Sequence, residues 1–269
     1  MKSLHQCARR CIESASVDEK LLLTRCLAEA WRSGELQMDT SPDPQPGAVP
    51  GRPARPVLVA PAQLVARKLS SVQGRTALLH ALAHIEFNAI NLAWDAVYRF
   101  RNMPAEFYAD WIRIAAEEAI HFALLRQRLN TLGCDYGDFP AHDGLWDMAR
   151  RTAHDALVRM AIVPRVLEAH GLDVTPGMMA RLRQAGDPES ARILETILHD
   201  EIGHVAAGSR WFRYVCQQRG LDPLQTFRRL LLEYLPAPVR GPLNREARAR
   251  AGFNREELDL LQGPAPEVK

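Results

Sequence analysis

The chain has 269 residues, is 47% hydrophobic and 25% charged, and carries a formal net charge of +2, enough apolar material for a substantial core and no overall bias toward a nucleic-acid or membrane partner. No stretch approaches the roughly 18 to 20 apolar residues of a membrane helix, and the opening MKSLHQCARRCIESAS has no apolar run of signal-peptide length, so a cytoplasmic protein is expected. Its five cysteines (Cys7, Cys11, Cys26, Cys134, Cys216) form no CxxC pair, which argues against a disulfide framework and a structural zinc site.

Residues 1–38 form an expected helical extension, with Leu21, Leu22, Leu23, Leu27 and Ala28 set among charges up to about Trp31. Residues 39–64 read as a connector, because seven prolines between Pro42 and Pro61 disfavour regular structure; Pro56 to Ala60 alone suggests a short extended piece. Residues 65–220 hold four segments with helical apolar spacing. The first runs from about Arg75 to Phe100, and after a break at Pro104 the second runs from Ala105 to Leu132. A glycine-containing loop from Gly133 to Gly144 leads to a third, about Leu145 to His170. The stretch Gly171 to Pro188 reads as a connection with at most a short helix near Met178 to Arg183, and the fourth segment runs from Glu189 to Gln218. Residues 221–269 add helices around Leu224–Leu235 and Arg255–Leu261. No segment sustains a period of two, so the expected fold class is all-α, a four-helix bundle with extensions at both ends.

Each of the four segments places a carboxylate inside its apolar stripe: Glu86, Glu118, Glu168 and Glu201. Burying an ionised group without a partner costs several kcal/mol, roughly, so something must compensate these. Two of them are followed three residues later by histidine, in Glu118-Ala-Ile-His121 and Glu201-Ile-Gly-His204, a spacing that projects both side chains from one side of a helix. One such pair arises often by chance. Six ligand-type residues in phase with apolar stripes do not, and their order (Glu, ExxH, Glu, ExxH) repeats with 32 residues from Glu86 to Glu118 and 33 from Glu168 to Glu201. Four carboxylates and two imidazoles suit a pair of iron ions, with manganese as the alternative. Glu117 and Asp200, each just before a motif glutamate, are candidates to accept the second ring N–H of a ligand histidine. His84 and His199 lie about 200° around the helix from Glu86 and Glu201 and are not expected to be ligands. Between Val205 and Arg255 ten arginines oppose three carboxylates, read as a solvated surface in an arginine-rich protein, with a phosphate-bearing partner as the sharper alternative.

The motifs HALAHIEFNAINLAWDAVYRF, EEAIHF, PRVLEAHGLDVTP and DEIGHVAAGSRWF, with GRPARP and PLNREARARAGF, resemble the bacterial ferritin-like family catalogued as domain of unknown function 455. The resemblance covers nearly the whole chain and departs from the family pattern at His170, where arginine is the expected residue. It implies a ferritin-like bundle and the same six ligands, and a distant similarity to a tRNA-modifying hydroxylase of that superfamily. The functions in view are therefore an O2-dependent di-iron oxidase or monooxygenase with an external electron donor and an unidentified substrate, a ferroxidase or iron-handling protein that assembles as a homo-oligomer, and a tRNA-modifying hydroxylase.

Overall fold

The computed structural model describes residues 2–38, 49–65, 67–235 and 241–262, and these are overwhelmingly helical. The fold is all-α; the only paired strands among them are β1 (Lys2–Ser3) and β2 (Leu36–Gln37), which run parallel. No helix among the described residues is long and apolar enough to cross a membrane. The chain divides into two compact units, residues 1–147 and 148–269.

The first unit is organised around α3 (Val72–Arg99) and α4 (Ala105–Thr131), packed as a hairpin. Ser71 starts α3 by accepting a hydrogen bond from the Gly74 amide at 3.0 Å. The turn between the helices uses Asn102 at φ +60°, and Pro104 caps α4. From Glu86 to Tyr98 α3 is buried on every side, because α1 (Leu4–Glu13) packs on it as well as α4, while α2 (Val17–Arg32) packs on α4. The expected helical extension consists of two helices: Ser16 caps the second by accepting from the Glu19 amide at 3.3 Å. Its anchor is Lys20, fully buried, whose Nζ donates to the carbonyls of Cys11 (2.7 Å) and Ile12 (2.9 Å) at the end of α1 and to Asn91 Oδ1 (2.6 Å) on α3. Three ammonium protons meet three acceptors, which is what makes a buried lysine tolerable here. The expected connector lies partly outside the described residues, at 39–48; the extended piece expected near Pro56 to Ala60 shows as a single bridge from Leu58 to Ala141.

The chain passes from the first unit to the second within α5 (Gly144–Arg151). The second unit contains α6 (Ala156–Ile162), a π-helical stretch (Val163–Glu168), α7 (Ala169–Gln184), α8 (Pro188–Gln218), α9 (Pro223–Tyr234), α10 (Arg245–Arg250) and α11 (Arg255–Gln262). Two sequence expectations are corrected here. The third segment is broken after Arg151, and Asp155 restarts it by accepting from the Leu157 amide at 2.9 Å. Further on, the helix does not stop at His170 but continues through Gly171, Pro176 and Gly177 to Gln184. A proline inside a helix leaves the carbonyl four residues earlier without its donor. For Pro176 that carbonyl is Leu172, and it accepts from the Asn244 side chain at 3.2 Å. The helix therefore survives its proline because a distant side chain replaces the missing amide. α8 begins at Pro188, with Asp187 accepting from the Ser190 amide at 3.0 Å, and packs on α6, the π-helical stretch and α7.

Candidate metal centre

Glu86 reaches inward from α3 and Glu118 and His121 from α4, and all three are buried. One ligand atom from each lies within 4.8 Å of the others. His121 Nδ1 is 3.2 Å from Glu86 Oε2 and 3.3 Å from Glu118 Oε2. The i, i+3 spacing on α4 makes the second contact possible, and the hairpin brings α3 to the first. Phe87 and Phe122 each follow a ligand directly in sequence, and their rings meet at 5.6 Å, with Tyr136 edge-on to Phe122 at 5.1 Å. These rings pack together between α3 and α4 beside the two ligand-bearing turns.

Burial dominates the electrostatics of the cluster. Burial, and next the charge of Glu118, push the Glu86 carboxyl well above the usual carboxylate range, and its hydrogen bond to His121 offsets only part of this. Burial by itself lowers His121, but hydrogen bonds to Glu118 and Glu86 outweigh it and raise its pKa to about 11. Two carboxylates facing each other across one imidazole, out of water, make a site that favours a cation. The oxygen and nitrogen donors present fit a first-row divalent ion such as iron or manganese.

In the second unit Glu201 and His204 lie on the same side of α8, with His204 Nδ1 3.8 Å from Glu201 Oε2; His204 is fully buried and Glu201 largely so. Glu168 is the last residue of the π-helical stretch, against which α8 packs. That packing is close. A Cβ on Gly208 would stand 2.4 Å from Cβ and Cγ of Pro164, so only glycine lets α8 approach here. The π winding at Glu168 was not foreseen from periodicity; such stretches are frequent at functional sites because they re-aim a side chain within an otherwise regular helix.

Of the other residues singled out from sequence, Glu117 accepts from Arg113 Nη1 at 2.5 Å, one turn back along α4, and Asp200 is partly buried on α8. His84 is bonded elsewhere: Nδ1 is 2.9 Å from the Tyr136 hydroxyl and Nε2 is 3.2 Å from the His142 carbonyl. His80 Nε2 accepts from the Gly137 amide at 2.9 Å, and His199 is exposed. Trp94 is core, donating to Thr24 Oγ1 at 3.0 Å. Several arginines of the basic stretch are paired with carboxylates, among them Arg219 with Asp155, Arg245 with Asp259 and the fully buried Arg248 with Asp173; Arg240 lies outside the described residues.

The comparison with known proteins agrees in one respect with the motifs. The chain belongs to the family described as protein of unknown function DUF455. The match spans residues 13–259, and so takes in all six ligand candidates. A protein of Haemophilus influenzae, itself described as uncharacterized, is 49% identical over 216 residues, 78% of this chain and 75% of that one. No solved structure matches.

Proposed function

We propose that this DUF455 chain is a dimetal carboxylate oxidoreductase of the ferritin-like kind, in which Glu86, Glu118 and His121 hold one ion and Glu168, Glu201 and His204 complete the set for a pair of iron ions, or of manganese. The observation that carries the reading is the buried Glu86–Glu118–His121 cluster, whose ligand atoms stand within 4.8 Å of one another. When bound, a reduced iron pair supplies the electrons and open coordination positions for oxidising an organic substrate with dioxygen.

The protein's own part is to prepare the ground for that chemistry. The carboxylates of Glu86 and Glu118 offset the positive charge of an ion, and the α3–α4 hairpin holds them in place before it arrives. Burial of Glu86, Glu118 and His121 keeps bulk water away from the cluster. Electrons come from a separate protein donor, because the sequence has no CxxC pair for a fused iron centre.

Metal analysis of protein purified without chelator, and again after anaerobic Fe(II) loading, tests the reading. Near two ions per chain, lost in Glu118→Ala and Glu201→Ala, with oxygen uptake on exposure to air, is the expected result. Absence of any bound transition metal after loading would overturn it, and a large hollow assembly by size-exclusion chromatography would replace oxidation of a substrate by iron storage.

A further inference from the structure

Arg165 lies three residues before Glu168, inside the π-helical stretch, and has no solvent exposure. Its Nη2 donates to Glu257 Oε1 at 2.5 Å. The guanidinium carbon is 4.1 Å from the ring centroid of Phe227, 4.6 Å from that of Phe253 and 4.7 Å from that of Phe212. Its Nε and Nη1 have no hydrogen-bond partner among the described residues, so ring faces take up the sides of the guanidinium that Glu257 does not. Glu257 is fixed in turn: it accepts from the Asn254 amide at 3.0 Å, and Arg213 stands 3.5 Å from its other oxygen. The partner of Arg165 thus comes from α11, 92 residues later.

A buried ion pair adds little net stability compared with apolar side chains of the same volume, and its best-attested use is to select one register over another. The π-helical stretch is where a register needs selecting. π winding holds one more residue per hydrogen-bonded turn than α winding, so a relaxation of 163–168 to α geometry slips the chain by one residue. The position now held by Glu168 would then be taken by Leu167 or Ala169. Neither can bind a metal ion.

We propose that Arg165 and Glu257, boxed in by Phe212, Phe227 and Phe253, are positioning residues for Glu168: the C-terminal segment locks the π register and so fixes the direction in which that carboxylate leaves the helix. The role of Glu168 rests on the metal-centre reading; the lock itself is independent of it. Arg248 and Asn244, which both bond Asp173 on α7, attach the same C-terminal segment one helical stretch further on and keep α11 in place.

The full-length chain carrying Arg165→Met with Glu257→Leu, and separately Glu257→Gln, tests this in two measurements. Amide hydrogen exchange on metal-free protein is expected to quicken at least tenfold across residues 163–169 while α8 keeps its protection, with the melting temperature of the apolar double variant within a few degrees of the parent. Mn(II) titration is expected to show one of the two ions bound at least tenfold more weakly. Unchanged exchange in 163–169 overturns the lock. Faster exchange with unchanged Mn(II) affinity overturns the positioning of Glu168. A parent chain that takes up no Mn(II) or Fe(II) defeats the metal-centre reading instead, and the exchange data then decide the lock alone. If the double variant does not fold, Glu257→Gln, which keeps the shape and removes the charge, decides in its place.

Discussion

Replacing Glu86 by glutamine should make the metal-free protein more stable and the metal-loaded protein less so. Glu86 is buried beside Glu118, and His121 Nδ1 faces both carboxylates at 3.2 and 3.3 Å. Glutamine keeps the shape and an oxygen for His121 and removes the surplus charge. The ceiling on the gain is the cost of keeping a carboxyl neutral at pH 7 when its ordinary pKa is near 4.3, about 3.7 kcal/mol; the lost charge interaction with His121 reduces this, leaving about 1–2 kcal/mol. For a chain of this size that corresponds to a melting temperature higher by roughly 2–8 °C. Metal reverses the order, because a ligand present at 100 times its dissociation constant adds about 2.7 kcal/mol to a chain that binds it and nothing to one that does not. Differential scanning calorimetry with chelator and then with excess Mn(II), run on parent and variant side by side, should show the two melting temperatures crossing. A variant less stable than the parent in chelator, or one that gains as much from Mn(II), refutes the view that Glu86 is kept at the expense of stability for the sake of a cation.

Lys20→Met takes a donor from the Cys11 carbonyl and Asn91 Oδ1, and leaves the Ile12 carbonyl with the Gly51 amide alone, while removing a buried charge; it should cost about 2 kcal/mol in chemical denaturation, and a loss under 0.5 kcal/mol, roughly, would mean that the junction closes without the ammonium. The same lysine predicts a pH trend: burial pulls its pKa down to about 8 in the fold against about 10.4 in an unfolded chain, so between those values the unfolded state binds more protons and the parent gains stability with rising pH relative to Lys20→Met, a gap that denaturation midpoints at pH 8 and pH 10 would measure. Gly208→Ala should destabilise by about 1–3 kcal/mol and force α8 away from Pro164, seen as faster amide exchange around both; normal stability would show that the approach is not tight. Cys11, whose thiol burial raises to about 11, should resist a thiol reagent in the native protein while the exposed Cys26 reacts within minutes; equal rates would contradict the packing of α1.

The helices and the ligand candidates were legible in the sequence for a common reason. Each of Glu86, Glu118 and His121 is a polar exception within a regular apolar stripe, and the regularity of α3 and α4 made the exceptions stand out. The π-helical stretch was not legible, since its winding is imposed from outside: Pro164 against Gly208, and Arg165 against a carboxylate 92 residues away. A signal was there in MAIVPRVLEA, a lone arginine in an apolar run, the same kind of exception that pointed to the glutamates. Local punctuation misled at Gly171, Pro176 and Gly177, which read as the end of a helix because the Asn244 side chain that replaces the proline's missing amide lies 72 residues from the carbonyl it satisfies.

The dependence of α7 and the π-helical stretch on residues from Asn244 to Glu257 also sets an order of assembly. On a ribosome, Arg165 emerges long before Glu257, and until then the middle of the second unit carries a cation with no counter-charge and a helix with an open carbonyl. That unit cannot complete its core during synthesis of its own central helices; it must wait for the last tenth or so of the chain. Burial of Arg165 against Glu257 is therefore a late event, which follows synthesis of α8, α9 and α10.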